Sequence, residues 1–229
     1  MKANNTSPAE KADGSYAAEK KNRPKASSAK RASVIFLCTG ALLICAALVL
    51  TCKNIYEERR AEKRSLSAVN EIVEAISSDA NGGIDTPPAA MPDADMQMPV
   101  KEIDGREYVG VLRIPSLGIE LPVLNEWSYD NLTVAPCRYS GSAYSNDLII
   151  CAHNYRSHFA RLSALRPGDT VSFTDMNSVR FDYEVVETET LLPDRVADLA
   201  SDNPSLTLFT CTFGGEYRIT VRLTRTAEH

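Results

Sequence analysis

A single strongly apolar run, from Val34 to Leu50, constrains the fold of this chain more than any other feature of its sequence. As a helix, the run with its edges, about 17 to 20 residues, is long enough to cross the hydrocarbon core of a membrane. A cleaved signal peptide is the competing interpretation, but the polar leader of 33 residues is long and the run exceeds a typical signal-peptide core. We therefore predict one transmembrane helix over residues 33–52, preceded by a disordered cytoplasmic tail over residues 1–32.

Basic residues stand on both sides of this run, so charge alone orients the helix weakly. The positive-inside bias favours a cytoplasmic N-terminus only slightly. The net charge of the whole chain is −5, which argues against a nucleic-acid partner, because such partners usually require a basic face. The basic residues before the run are Lys20, Lys21, Arg23, Lys25, Lys30 and Arg31, and those after it are Lys53, Arg59, Arg60, Lys63 and Arg64.

Two segments separate the apolar run from the remainder of the chain. Apolar residues at near-helical spacing predict a juxtamembrane helix over residues 53–77. Residues 78–102 are rich in Gly and Pro, which is typical of an extended linker. Every candidate catalytic motif lies beyond this linker, so we expect residues 1 to about 77 to be dispensable for chemistry. The apolar helical positions are Ile55, Leu66, Val69, Ile72, Val73 and Ile76.

Residues 103–229 carry the signals of a mainly β domain. Short runs rich in Val and Ile are bounded by Pro, Gly, Asn and Asp, as in strands joined by turns. Such regular short strands favour a closed β-barrel or a sandwich. Helical signals are modest and lie near residues 159–165 and 196–201. The predicted strands cover residues 108–114, 119–124, 148–152, 170–173, 180–189, 206–210 and 217–224.

A cysteine, a histidine and an arginine at the ends of predicted strands carry the strongest chemical signal. Cys211 follows an apolar strand, Arg218 comes seven residues later, and His153 lies far upstream. Together they supply a nucleophile, a proton carrier and an oxyanion donor for attack on a carbonyl. A lone cysteine after an apolar strand is more often a buried structural thiol. Gly214 and Gly215 permit a tight hairpin, which would place Cys211 and Arg218 on neighbouring antiparallel strands.

The segment Thr207-Leu208-Phe209-Thr210-Cys211 resembles the TLxTC signature of the sortases, the cysteine transpeptidases that anchor proteins to the Gram-positive cell wall. Three further segments agree with this resemblance. Residues 109–123 are similar to the opening strand pair of the sortase fold, residues 148–154 to its histidine strand, and residues 159–171 to the stretch after the histidine. The agreement extends from about residue 108 to residue 223 in the family's order, which makes it far more specific than one motif.

The resemblance implies a sortase-like eight-stranded β-barrel with short helices, preceded by the transmembrane helix, the juxtamembrane helix and the linker. It implies that Cys211 attacks the Thr–Gly carbonyl of an LPxTG-like sorting signal to form a thioester, while His153 protonates the departing amine. Arg218 would steady the oxyanion or hold the substrate backbone, and Asn154 and Thr210 are candidate substrate contacts. An amine from a peptidoglycan precursor or a pilin lysine would then resolve the thioester.

The implied partners are surface proteins that bear sorting signals, the amine acceptor and membrane lipid. The implied location is the cell membrane, with a single pass, a cytoplasmic N-terminus and an extracellular catalytic domain. Within the resemblance, two features favour class B-like sortases: the pair His153-Asn154 and the helix before the barrel. No cofactor is required, although an acidic stretch could hold Ca²⁺, as some sortases do. It lacks a regular ligand spacing and also fits a solvated face, so we predict no metal ligands. The acidic residues are Glu187, Glu189, Asp194, Asp198 and Asp202.

Two other functions stay open from the sequence. A cysteine protease or hydrolase would use the same nucleophile but pass the acyl group to water. A non-catalytic surface module would keep the barrel and lose turnover, which the joint presence of the three residues opposes. Sequence spacing also leaves open whether Cys137 and Cys151 pair as a disulfide. His158 is interpreted as a loop residue near the entrance of the site.

Overall fold

The computed structural model describes residues 26–80, 92–201, 203–212 and 214–226. Its contacts divide the chain into two compact units, residues 1–50 and residues 51–229. The predicted tail up to residue 25 and residues 81–91 of the predicted linker lie outside the described residues.

One long helix, α1, spans Ala26–Ala80. By length and composition it can cross a membrane. The segments predicted over residues 33–52 and 53–77 form one continuous helix, because no Gly or Pro interrupts the chain between residues 41 and 80.

The strands of the second unit form a single sheet that closes on itself. Their bounds are β1 (Lys101–Ile103), β2 (Arg106–Ile114), β3 (Ile119–Leu124), β4 (Cys137–Ser140), β5 (Leu148–Ala152), β6 (Thr170–Asp175), β7 (Arg180–Leu191), β8 (Leu206–Cys211) and β9 (Arg218–Arg225). The spatial order is β1-β2-β3-β4-β5-β8-β9-β7-β6, and an additional pairing of β2 with β6 closes the ring. Eight of the nine strands, β2 to β9, form the barrel, and β1 adds a short hairpin to β2. The predicted eight-stranded barrel is confirmed.

Four short elements join the strands. They are the 3-10 helices Pro115–Leu117, Leu162–Ala164 and Val196–Ala200, and a one-turn helix α2 at Tyr129–Leu132. The second and third 3-10 helices lie within the two predicted helical segments. Strands β1 and β4 were not predicted, because each has only three or four residues and lacks a long apolar run.

Glycine makes the closing seam possible. A Cβ atom on Gly110 would lie 2.3 Å from the Thr174 carbonyl oxygen and 2.6 Å from the Phe173 ring. Strands β2 and β6 can therefore pair at this point only because Gly110 has no side chain.

Buried residues form two clusters. The larger one takes side chains from the barrel strands and from the loop after β5, such as Leu112, Phe159 and Leu208. The smaller one lies under α1, where Ala68 and Ile72 join residues that include Tyr108, Cys137 and Cys151. Ala68 and Ile72 of α1 thus pack on the barrel, within the second unit.

Candidate active site

Strand pairing brings the three candidate catalytic residues to one end of the sheet. In the parallel pair of β5 and β8, Ala152 lies opposite Thr210, so His153 and Cys211 each stand one residue beyond this pair. In the antiparallel pair of β8 and β9, Cys211 lies directly opposite Arg218. The predicted neighbourhood of Cys211 and Arg218 is therefore present, and the β5–β8 pairing adds His153.

The side chains of His153, Cys211 and Arg218 line a single open pocket. Its wall contains two arginines and a histidine, and among the described residues no Asp or Glu lines it. Such a pocket favours developing negative charge on a substrate oxygen. The remaining lining residues are Trp127, Tyr129, Leu132, Tyr139, Cys151, Ala152, Leu191, Leu192, Pro193, Arg195, Leu199, Phe209 and Thr210.

The three cysteines of the barrel differ in exposure. Cys211 is half-buried, whereas Cys137 and Cys151 are buried free thiols that lie opposite each other on β4 and β5. Burial raises the pKa of Cys137 to about 12, and burial raises the pKa of Cys151 as well. Both buried thiols therefore stay protonated at neutral pH, which leaves Cys211 as the candidate nucleophile of this pocket.

His153 is half-buried at the end of β5. Burial lowers its pKa below the usual value, because a charged imidazolium loses hydration there. The imidazole is therefore mainly neutral at neutral pH and ready to accept a proton.

We expect the imidazole of His153 to titrate below the ordinary value of about 6.5. NMR titration of isotope-labelled histidine in the full-length protein would measure this, with His158→Gln and His229→Gln assigning the three signals. A titration point above 6.5 would contradict the prediction and would indicate a negative partner, such as a thiolate at Cys211.

Arg218 begins β9 directly after the glycine-containing loop. Gly214 and Gly215 have φ angles of 89° and 78°, which glycine adopts without strain. Nη1 of Arg218 donates to the carbonyl oxygens of Gly215 at 3.1 Å and Tyr217 at 3.2 Å. Within the described residues these bonds use only Nη1, so the other guanidinium N–H groups remain available to a substrate oxygen.

The two candidate substrate contacts have different surroundings. The hydroxyl of Thr210 donates to the Ala152 carbonyl oxygen at 2.8 Å, and its side chain is buried. This bond ties the strand of Cys211 to the strand of His153, which supports a bracing role for Thr210. Asn154 is half-buried, and it is not among the described residues that line the pocket.

An aromatic wall beside Cys211 was not predicted from the sequence. The rings of Tyr139 and Phe209 meet edge to face with centroids 5.3 Å apart, and Trp127 lies 5.6 Å from Tyr139. Phe209 could have been found from period-two alternation, because it lies two residues before Cys211 on the same strand face. Tyr139 could not, since its strand β4 was itself missed.

A buried arginine holds the loop between β7 and β8 against the barrel. Arg222 has only 5% of its surface exposed. Its guanidinium donates to Glu189 at 2.7 Å and to the carbonyl oxygens of Ser201 at 2.8 Å, Leu199 at 3.3 Å and Asp198. This loop supplies Arg195 and Leu199 to the pocket wall, so Arg222 sets the position of one side of the site.

The same contacts bear on the acidic stretch considered for Ca²⁺. Glu189 is paired with Arg222, and Asp198 is paired with Arg195 at 2.6 Å. Within the described residues, no three His, Cys, Asp or Glu side chains are grouped so that they could hold a metal ion. Asp202 lies outside the described residues. Two of the carboxylates considered for Ca²⁺ are thus paired with arginines, and the expectation of no metal ligands stays a prediction.

Replacing Arg222 by methionine is expected to lower the free energy of unfolding by about 3 kcal/mol, because the half-buried carboxylate of Glu189 and several carbonyls lose their buried donor. At about 2–4 °C per kcal/mol, the melting temperature should fall by roughly 6–12 °C. Arg180→Met is the matched control, since Arg180 forms an exposed ion pair with Asp182. Equal melting temperatures for the two variants in calorimetry would show that Arg222 does not hold the loop.

Comparisons with known proteins give a consistent result. A family model described as the Sortase domain matches residues 112–226, half of the chain. Sortase A from Bacillus anthracis is 25% identical over 186 residues, which cover 77% of this chain and 87% of that protein. Among solved structures, sortase C1 from Streptococcus agalactiae is 26% identical with a TM-score of 0.47, covering 56% of this chain and 72% of that chain. A lid mutant of sortase A from Corynebacterium diphtheriae is 20% identical with a TM-score of 0.48, covering 72% and 97%.

Proposed function

The chain belongs to the sortase family of cysteine transpeptidases that act on surface proteins, and on that premise we propose that it cleaves an LPxTG-like sorting signal through a thioester on Cys211. The observation that carries the proposal is the shared pocket of Cys211, His153 and Arg218. Cys211 is half-buried, whereas the other two cysteines of the barrel are buried. This difference in exposure supports Cys211 as the nucleophile. The leaning towards class B remains a prediction.

The first stage transfers the acyl group to the enzyme. Neutral His153 takes the proton of the Cys211 thiol, and the thiolate attacks the carbonyl carbon between Thr and Gly. Negative charge then develops on the carbonyl oxygen, where a guanidinium N–H of Arg218 can donate to it. The C–N bond breaks, the imidazolium of His153 gives its proton to the departing glycine amine, and a thioester remains.

The second stage releases the acyl group to an amine. The neutral imidazole of His153 removes a proton from the incoming amine, which attacks the thioester carbon and forms a new amide bond. The thiolate of Cys211 leaves and regains its proton from the imidazolium. We propose that the acceptor is a peptidoglycan precursor or a pilin lysine.

We also propose that α1 anchors the enzyme in the cell membrane with its N-terminus in the cytoplasm and residues 103–229 outside. The apolar composition of α1 supports an anchor, and substrates on the cell surface require the catalytic domain to be outside. A cysteine-accessibility assay on cells, with a reagent that does not cross membranes, tests this orientation. Labelling of Cys211 on intact cells is the expected result, and labelling only after lysis would reverse the orientation.

The test of the activity uses the full-length protein in lipid nanodiscs with a small library of sorting-signal peptides. Mass spectrometry should find a peptide thioester on Cys211 and, after an amine is added, a new amide product. Hydrolysis at the same rate with and without the amine would favour a hydrolase. Absence of an adduct with every peptide would overturn the proposed substrate class.

A further inference from the structure

One face of α1, made mostly of small side chains, is buried against the barrel. Ala61, Ser65, Ala68 and Ile72 recur at intervals of three or four residues, so they share one face of the helix. Their exposed fractions are 1%, 3%, 5% and 0%. Ala68 and Ile72 belong to the smaller core cluster.

This helix face reaches the loop that begins with His153. The backbone N–H of Arg156 donates to the carboxylate of Glu58 at 2.8 Å. Two turns further along, the hydroxyl of Ser65 lies 3.2 Å from Nε2 of His158 and donates to the Val134 carbonyl oxygen at 2.7 Å. The helix therefore holds residues 153–159 at two points.

The contact at Ser65 defines the tautomer of His158. Ser65 has one hydroxyl proton, and the short bond to Val134 uses it, so Nε2–H of His158 must be the donor to the Ser65 oxygen. Nδ1 then carries a lone pair, and it has no partner among the described residues. Burial lowers the pKa of His158 to about 4, and the charge of the nearby His153 contributes a smaller lowering. His158 lies in a turn, as the sequence suggested, but its ring is buried and neutral at neutral pH and is not among the residues that line the pocket.

A compact turn connects His158 with His153. The ring of Tyr155 lies between the two imidazoles, with centroids 5.5 Å from His158 and 5.0 Å from His153. Within the turn, the N–H of His158 donates to the Tyr155 carbonyl at 2.9 Å, and the N–H of Phe159 donates to the His153 carbonyl at 3.3 Å. Because the three rings are in contact, a shift of His158 displaces Tyr155 and therefore His153.

We propose that residues 58–72 of α1 are a positioning element for the imidazole of His153, acting through Glu58 and through the Ser65–His158 contact. Ser65, His158 and Glu58 are positioning residues, because they reach the reacting atoms only through the loop. The proposal rests on the role of His153 in the proposed function. It also opposes the sequence-based expectation that everything up to about residue 77 is dispensable for chemistry.

The test uses full-length protein in lipid nanodiscs and two substitutions that remove a contact, Ser65→Ala and Glu58→Ala. Each is expected to lower kcat for thioester formation by about 10- to 100-fold with little change in KM, because a displacement of a proton carrier by about 1 Å has costs of this order. Glu58→Gln keeps an acceptor oxygen and should restore most of the rate. Ser67→Ala is the matched control, since Ser67 is exposed and, among the described residues, its hydroxyl bonds only the Arg64 carbonyl of its own helix.

A second readout does not depend on the peptide. The rate of Cys211 alkylation by iodoacetamide against pH reports how the neighbouring imidazole assists the thiol. Ser65→Ala and Glu58→Ala should change this profile, while Ser67→Ala and Glu58→Gln should follow the wild type. If no peptide forms a thioester but the alkylation profiles of Ser65→Ala and Glu58→Ala still differ from that of the wild type, the proposed substrate is wrong and the positioning role stands.

The opposite outcome would overturn the inference. If Ser65→Ala and Glu58→Ala keep the wild-type kcat and alkylation profile, even with a lowered melting temperature, residues 58–72 merely stabilise the fold. Glu58 is only partly buried, so Glu58→Ala tests the inference even where Ser65→Ala impairs folding.

Discussion

Replacing Cys211 by alanine is expected to abolish thioester formation while the barrel remains folded. The change removes the half-buried thiol of the pocket, and loss of a nucleophile lowers turnover by about 10,000-fold or more in comparable enzymes. The side chain is not part of a buried cluster, so its truncation should shift the melting temperature only slightly. Single-turnover assays with a sorting-signal peptide, read by mass spectrometry, would measure the loss.

Cys151→Ala is the matched control for this experiment. Cys151 lines the same pocket, but burial raises the pKa of its thiol and keeps it protonated. That variant should retain thioester formation on Cys211. Peptide transfer by Cys211→Ala, or an adduct on Cys151 in the wild type, would show that the nucleophile has been assigned wrongly.

Replacing Arg218 by lysine is expected to reduce the acylation rate by about 100- to 1,000-fold, the usual effect of losing one oxyanion donor. Arg218 lies directly opposite Cys211, where its planar guanidinium can hold the loop carbonyls with Nη1 and still offer other N–H groups to the substrate. Lysine keeps the charge but has a single compact ammonium on a flexible stem, so it cannot satisfy both sets of acceptors.

Single-turnover acylation by wild type, Arg218→Lys and Arg218→Ala would measure this effect. Melting temperatures are needed alongside, because Arg218 also bonds the loop after Cys211. Arg180→Lys is the control for a general loss of arginine, as Arg180 is exposed and paired with Asp182. Near-wild-type acylation by both Arg218 variants would remove Arg218 from the chemistry and leave it as a loop support.

Much of the barrel could be predicted from local pattern. The predicted bounds of β3 and β5 agree with the structure, those of β2, β6, β7 and β8 differ by one or two residues at one end, and those of β9 differ by one residue at each end. These strands are short runs rich in apolar residues with turn residues at their ends, which is the local signal that identified them. The neighbourhood of Cys211 and Arg218 was predictable for the same reason, since a short glycine hairpin determines which residues face each other.

The sequence by itself determined the elements whose signals are local: the apolar helix, the strands whose apolar runs are bounded by turn residues, and the hairpin that joins Cys211 to Arg218. Only the tertiary structure decided what depends on distant segments. The parallel pairing of β5 with β8 brings His153 to Cys211 across almost 60 residues, and the β2–β6 seam closes the barrel. The contacts of Ser65 with His158 and of Arg222 with the β7–β8 loop are equally remote in sequence. Such contacts depend on which surfaces meet after folding. The residue pattern within one segment does not show which distant segment it will contact.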